Sequence, residues 1–170
     1  MTDLRQILFD IGGISSLLVV FCFLLLLKFH RAENNSLHIS SGVIVLASFL
    51  MHSVELKLFS LAETDRDLAK YLWYISFVLI DVVSAYVLYK IHVVYNVKVS
   101  RLSFFTLYSL FALTGVQLLR FVDRLIFETD LLGSFYQYSI VIINISIVST
   151  IIFSTIIALF QFSQESRQEA

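Results

Sequence analysis

Long apolar stretches follow one another from Ile11 to Phe162, separated only by short polar connections. A stretch that crosses a bilayer needs about 20 mostly apolar residues. By that measure the pattern predicts spans near 7–29, 39–62, 70–95, 102–127 and 134–161. The connections hold roughly six to ten residues each, so no folded extramembrane domain is expected. Proline is absent from all 170 residues, although average usage would supply about eight. Without helix breakers, the expected fold is all-α: a polytopic membrane helix bundle of about five transmembrane helices forming a single domain over 1–170.

Composition strengthens this reading. Hydrophobic residues make up 58% of the chain and charged residues 15%, against about 25% charged in soluble domains. The mean hydropathy is +0.86. A soluble domain of this size could not cover so much apolar surface, whereas lipid can. The net charge is −1 with no basic block, which argues against nucleic acid as a partner. Cys22 is the only cysteine, so there is no internal disulfide or CxxC pair, and a small buried hydrophobe is the expected role. The first segment lacks a small-x-small cleavage site. It carries Asp3 beside Arg5 and ends on Lys28-Phe29-His30-Arg31, so it reads as a retained span with a stop-transfer flank.

Lys28, Arg31, Lys90, Lys98 and Arg101 fall in the connections after the first and third spans. The other two connections are acidic, with Glu63, Asp65 and Asp67 in one and Glu128 and Asp130 in the other. By the positive-inside rule the basic connections are cytoplasmic, which puts the N-terminus outside and the C-terminus inside. Tyr71, Trp73, Tyr74, Tyr136 and Tyr138 then form an outer aromatic belt. The Ile-, Ser- and Phe-rich composition suits a bacterial inner membrane. At an offset of 65 residues, Glu63-Thr64-Asp65 recurs as Glu128-Thr129-Asp130, and Tyr71 matches Tyr136. This is compatible with a parallel hairpin repeat, 39–95 on 104–160; capping of the following helix by Thr and Asp explains the motif equally well.

Ionisable residues inside a bilayer are costly and face the protein interior or water. At 1.5 Å per residue, His52, Asp81, Gln117 and Asn144 fall roughly 15 Å from the outer ends of their helices. Glu55 and Arg120 fall at roughly 10–12 Å, with Asp123 and Arg124 nearer the edge. Ser48, His52 and Glu55 share one face of the second helix. Thr106, Thr114, Gln117, Arg120, Arg124 and Glu128 form a polar stripe on the fourth. The candidate site is therefore an intramembrane polar network of His52, Glu55, Asp81, Gln117, Arg120, Asp123, Arg124 and Asn144 in the outer half of the bundle. Two uses compete: carboxylates pairing with Arg120 and Arg124 to fix helix register, or a pocket open to the outside that binds an ion or small polar ligand or relays protons.

No metal or cofactor is expected. His30, His38 and His92 cluster near the cytoplasmic surface without metal-ligand spacing. Neither GxSxG nor a phosphate-binding glycine loop occurs, so an enzyme is not expected. Small residues at Gly12 and Ser16, and at Ser146, Thr150 and Ser154, suit close helix packing or self-association. The reading is a non-enzymatic interaction, sensor or accessory subunit of a membrane complex. The alternative is an oligomeric ion or proton channel, or a small transporter. The expected partners are the lipid bilayer and either further copies of the chain or a membrane or cytoplasmic protein.

Overall fold

The computed structural model describes residues 2–28 and 35–168, with side chains over 14–28 and 35–164. Among these residues the chain is all-helical: α1 (Thr2–Lys28), α2 (Asn35–Thr64), α3 (Arg66–Val94), α4 (Arg101–Phe121) and α5 (Gly133–Gln168). The last turn of α4 widens into a π-helical segment, Val122–Ile126. Helices α2 to α5 are long and apolar enough to cross a membrane. The described side chains of α1 add a shorter apolar stretch, Ile14–Lys28.

Local chemistry sets the ends. Asp65 caps α3, its carboxylate accepting the Leu68 N–H at 3.0 Å, and Ser100 caps α4 in the same way for Ser103. Asn96, in the left-handed region at φ 51°, ends α3, and Val97 N–H closes back on the His92 carbonyl at 2.9 Å. Asp65 is the only residue between α2 and α3. The expected six-to-ten-residue connection there is corrected by the structure, because one well-formed cap suffices to reverse the chain.

Each helix packs against its neighbours in sequence, and α1 also packs against α5, closing a ring in which α2 touches α4 and α5 as well. Val19, Cys22, Ile44, Ala85, Leu110 and Ile151 lie in the main apolar core. Gly42 lets α2 approach α1: a Cβ there would lie 3.1 Å from the Phe23 ring. The surface is apolar on every helix, with Leu17, Phe49, Leu79, Phe111 and Phe153 all exposed. By contrast, Ser40, Asp81, His92, Thr106 and Gln117 are buried. A patch of exposed apolar surface this continuous is foreign to soluble monomers. Apolar outside and polar inside is the order that lipid imposes.

The bundle has two chemically distinct ends. The end with the α3–α4 connection is basic in sequence, and the end with the α2–α3 and α4–α5 connections is acidic. At the basic end a buried hydroxyl–imidazole cluster locks three helices together. Ser36 Oγ lies 2.9 Å from His92 Nε2 and 2.7 Å from Ser103 Oγ, and it accepts the Ser100 N–H at 3.0 Å. Ser40 Oγ adds a bond of 2.7 Å to Ser103. His92 Nδ1 faces the Leu88 carbonyl at 2.7 Å. A carbonyl only accepts, so Nδ1 carries the proton, and Nε2 accepts from a serine hydroxyl.

Losing one member leaves the others unsatisfied in a buried setting. Ser36→Ala is expected to cost about 1–3 kcal/mol, measured by thermal or denaturant unfolding in detergent. Ser53→Ala, which removes only a bond to the Phe49 carbonyl in its own helix, should leave stability nearly unchanged.

Candidate functional site

The sequence-derived network divides into two separate sites at the acidic half of the bundle. The first is an ion-pair cluster at the end of α4. Arg120 forks between the carboxylates of Asp123 and Asp130. Arg124 reaches Asp130 at 3.6 Å. Asp123 also accepts from the Thr129 hydroxyl and, at 3.2 Å, from the Leu132 N–H.

The π turn aims these groups. It lets the Phe127 N–H bond the Val122 carbonyl five residues back. Glu128 then takes a left-handed conformation at φ 54°, which folds Thr129 and Asp130 back over the helix end. Gly133 is required by close approach, since a Cβ would stand 2.9 Å from the Asp130 carboxylate. Glu63-Thr64-Asp65 and Glu128-Thr129-Asp130 therefore do different work: Asp65 caps a helix, whereas Asp130 serves Arg120.

Asp130 lies outside the spans, and its carboxyl is held below the usual carboxylate range. The main cause is the hydrogen bond from Arg120, followed by the charge of that guanidinium. A folded pKa below the unfolded one means that this group stabilises the fold above the unfolded pKa. The contribution fades as pH falls through the lower folded value. Stability at this end is thus expected to hold down to about pH 4, the ordinary Asp range, and to decline below it. Unfolding midpoints measured between neutral and strongly acidic pH should show that decline, and Asp130→Asn should flatten part of it.

The second site is a half-open cavity of about 830 Å³ lined by residues of all five helices. Asp81, His52, Glu55, Gln117 and Asn144 all border it, which unites five of the sequence-derived candidates around one space. The rest of its wall is apolar and aromatic, including Phe49, Trp73 and Phe77. Glu55 and His52 form a loose pair at 3.8 Å, with the imidazole largely exposed, and Asn144 is also exposed. Gln117 is buried and its amide oxygen accepts from the Tyr136 hydroxyl at 3.0 Å. Tyr136 stacks edge-on with Tyr74, and Tyr71 and Tyr74 both stack edge-on against Phe121. Of the expected belt aromatics, Tyr74 and Tyr136 pack inward at the acidic end, whereas Tyr71 and Tyr138 are exposed.

Asp81 differs from its neighbours. It is wholly buried, and neither carboxylate oxygen has a hydrogen-bond partner among the described residues. The expected pairing of Glu55 and Asp81 with Arg120 and Arg124 is corrected by this geometry. Both arginines are occupied at the end of α4, Glu55 faces His52, and Asp81 lies buried in the cavity wall.

The histidines near the basic end are otherwise engaged. His38 Nε2 meets the Leu26 carbonyl at 2.8 Å, His92 sits in the serine cluster, and His30 lies outside the described residues. No group of three His, Cys, Asp or Glu side chains suited to a metal ion occurs among the described residues. The sequence reading missed the serine–histidine cluster, whose signal was Ser36, Ser40 and Ser41 opposite Ser100 and Ser103. It also missed Asp130 and Thr129 as partners of the α4 end, and the aromatic wall of the cavity. Comparison with protein-family models, with curated proteins and with solved structures gives no match. The class that the fold defines is an all-α bundle with four helices of membrane-spanning length and composition.

Proposed function

We propose that this chain is a non-enzymatic multi-pass membrane protein that acts as a sensor or accessory subunit, and that the cavity around Asp81 is the ligand site through which it responds. One observation carries the reading: a space of about 830 Å³ borders a fully buried carboxyl that has no hydrogen-bond partner among the described residues. Pockets for small organic ligands span about 300–1,000 Å³, with mostly apolar walls and a few convergent polar groups. An ionisable side chain held unpaired at membrane depth marks a functional site by default.

Conduction through a single chain has weaker support. Beyond the cavity, Leu26, Leu88 and Ile151 are fully buried, and the polar groups at the basic end satisfy one another. In the proposed orientation the basic connection Lys90–Arg101 is cytoplasmic and free to meet a partner. The acidic end and the cavity then face the outside, and a bacterial inner membrane is the proposed location.

Native mass spectrometry of the protein purified from its own membrane in mild detergent tests this reading. A retained small-molecule mass that Asp81→Asn abolishes, or a co-purifying protein lost on altering Lys90–Arg101, supports it. A bare homo-oligomer that passes ions in liposomes overturns it in favour of a channel.

A further inference from the structure

The charge balance of the cavity is one-sided. Asp81 and Glu55 are its carboxyls, His52 is its only other ionisable side chain apart from Tyr136, and no lysine or arginine among the described residues lines it. The arginines of the sequence-derived network, Arg120 and Arg124, are committed to Asp123 and Asp130. A buried carboxylate that no cation among the described residues reaches is relieved by a cation that arrives with the ligand.

The wall narrows the choice further. A bare metal ion needs several charged or strongly polar ligands around it, and no group of three His, Cys, Asp or Glu side chains suited to one occurs among the described residues. Instead the wall is apolar, and Trp73, Phe77 and Phe49 offer aromatic faces that attract organic cations. The volume is that of a drug-sized molecule.

We propose that the cavity binds a lipophilic organic monocation, a protonated or quaternary amine with an aromatic or aliphatic body. Its charge rests against Asp81 and its body fills the space between α1, α2 and α5. This rests on the cavity being a ligand site, as proposed above, and adds the chemical class of the occupant. Glu55, paired loosely with the exposed His52, draws the cation inward without holding it.

Trp73 is the only tryptophan in the chain and borders the cavity, so its emission reports occupancy. Purified protein is titrated with tetraphenylphosphonium, its anionic counterpart tetraphenylborate, and the neutral triphenylmethanol, with equilibrium dialysis as a second readout. The phosphonium is expected to bind saturably. Asp81→Asn should weaken it by about 30-fold or more and leave triphenylmethanol unaffected. Asp81→Glu should keep binding within a few-fold, and Arg124→Gln, outside the cavity, should leave it nearly unchanged. Thermal unfolding of each variant without probe establishes that it is folded.

Equal binding of all three probes, indifferent to Asp81→Asn, overturns the cationic class while the cavity remains a ligand site. Binding of none overturns both readings. A co-purified zwitterionic phospholipid that the phosphonium cannot displace also overturns the proposal, because the occupant is then lipid.

Discussion

Asp81→Leu is expected to make the bundle more stable, by about 1–3 kcal/mol. Asp81 is fully buried, and both carboxylate oxygens lack a partner among the described residues. Burying an unpartnered polar group costs free energy that an apolar side chain does not incur, and the adjoining cavity has room for the larger leucine. For a chain of this length the gain corresponds to a rise of roughly 2–10 °C in the unfolding midpoint. Asp81→Asn should gain less, because an amide in the same place still seeks partners.

The same Asp81→Leu change is expected to abolish cation binding, the usual relation between a strained functional group and stability. Thermal unfolding in detergent alongside the phosphonium titration measures both quantities. A drop in the midpoint on Asp81→Leu would mean that the carboxyl is satisfied in the native assembly. The site would then be a structural one.

The second large effect concerns the end of α4. Arg120 is buried there and joins two carboxylates that belong to different parts of the chain, Asp123 in the π segment and Asp130 in the connection to α5. Arg120→Gln removes the cation and leaves both carboxylates facing each other. Breaking a buried pair from one side is far more costly than removing both partners. The midpoint is therefore expected to fall by roughly 5–10 °C, with faster proteolysis across 127–132.

Arg124→Gln is the contrast. Arg124 is partly exposed and its pair with Asp130 is long, at 3.6 Å, so the expected change is within about 0.5 kcal/mol. Arg120→Gln combined with Asp123→Asn should recover part of the loss, because the buried charge is removed along with its partner. Equal losses for the two arginines would contradict this assignment. Phosphonium binding should survive both arginine changes, since neither side chain lines the cavity.

Gln117 and Arg120 illustrate how far sequence carried the site. They stand three residues apart on one stripe of α4, and the sequence reading assigned them to one network. Both are indeed buried, yet Gln117 bonds Tyr136 beside the cavity and Arg120 bonds Asp123 and Asp130 at the helix end. One helical turn changes the neighbouring element, and the neighbour decides the partner. Ser36 and His92 make the same point from the other direction. Fifty-six residues separate them, and the serines near positions 36 and 100 signal a polar contact without saying which partner each one takes.

The sequence by itself determined that this chain is all-α, where its apolar segments lie, and that its ionisable groups gather toward the acidic connections. These follow from local quantities. In lipid a helix satisfies its backbone from its own residues, so composition and length over about 20 positions are enough. Tertiary structure alone decided that Asp81 lies beside a cavity without a partner among the described residues, that Asp130 takes Arg120, and that a serine cage closes around His92. Those outcomes depend on the rotation and axial offset of each helix against its neighbours. Such offsets are set by packing details such as Gly42 against Phe23 and Gly133 against Asp130. A difference of one residue turns a side chain by about 100° and moves it 1.5 Å, which is enough to exchange one partner for another.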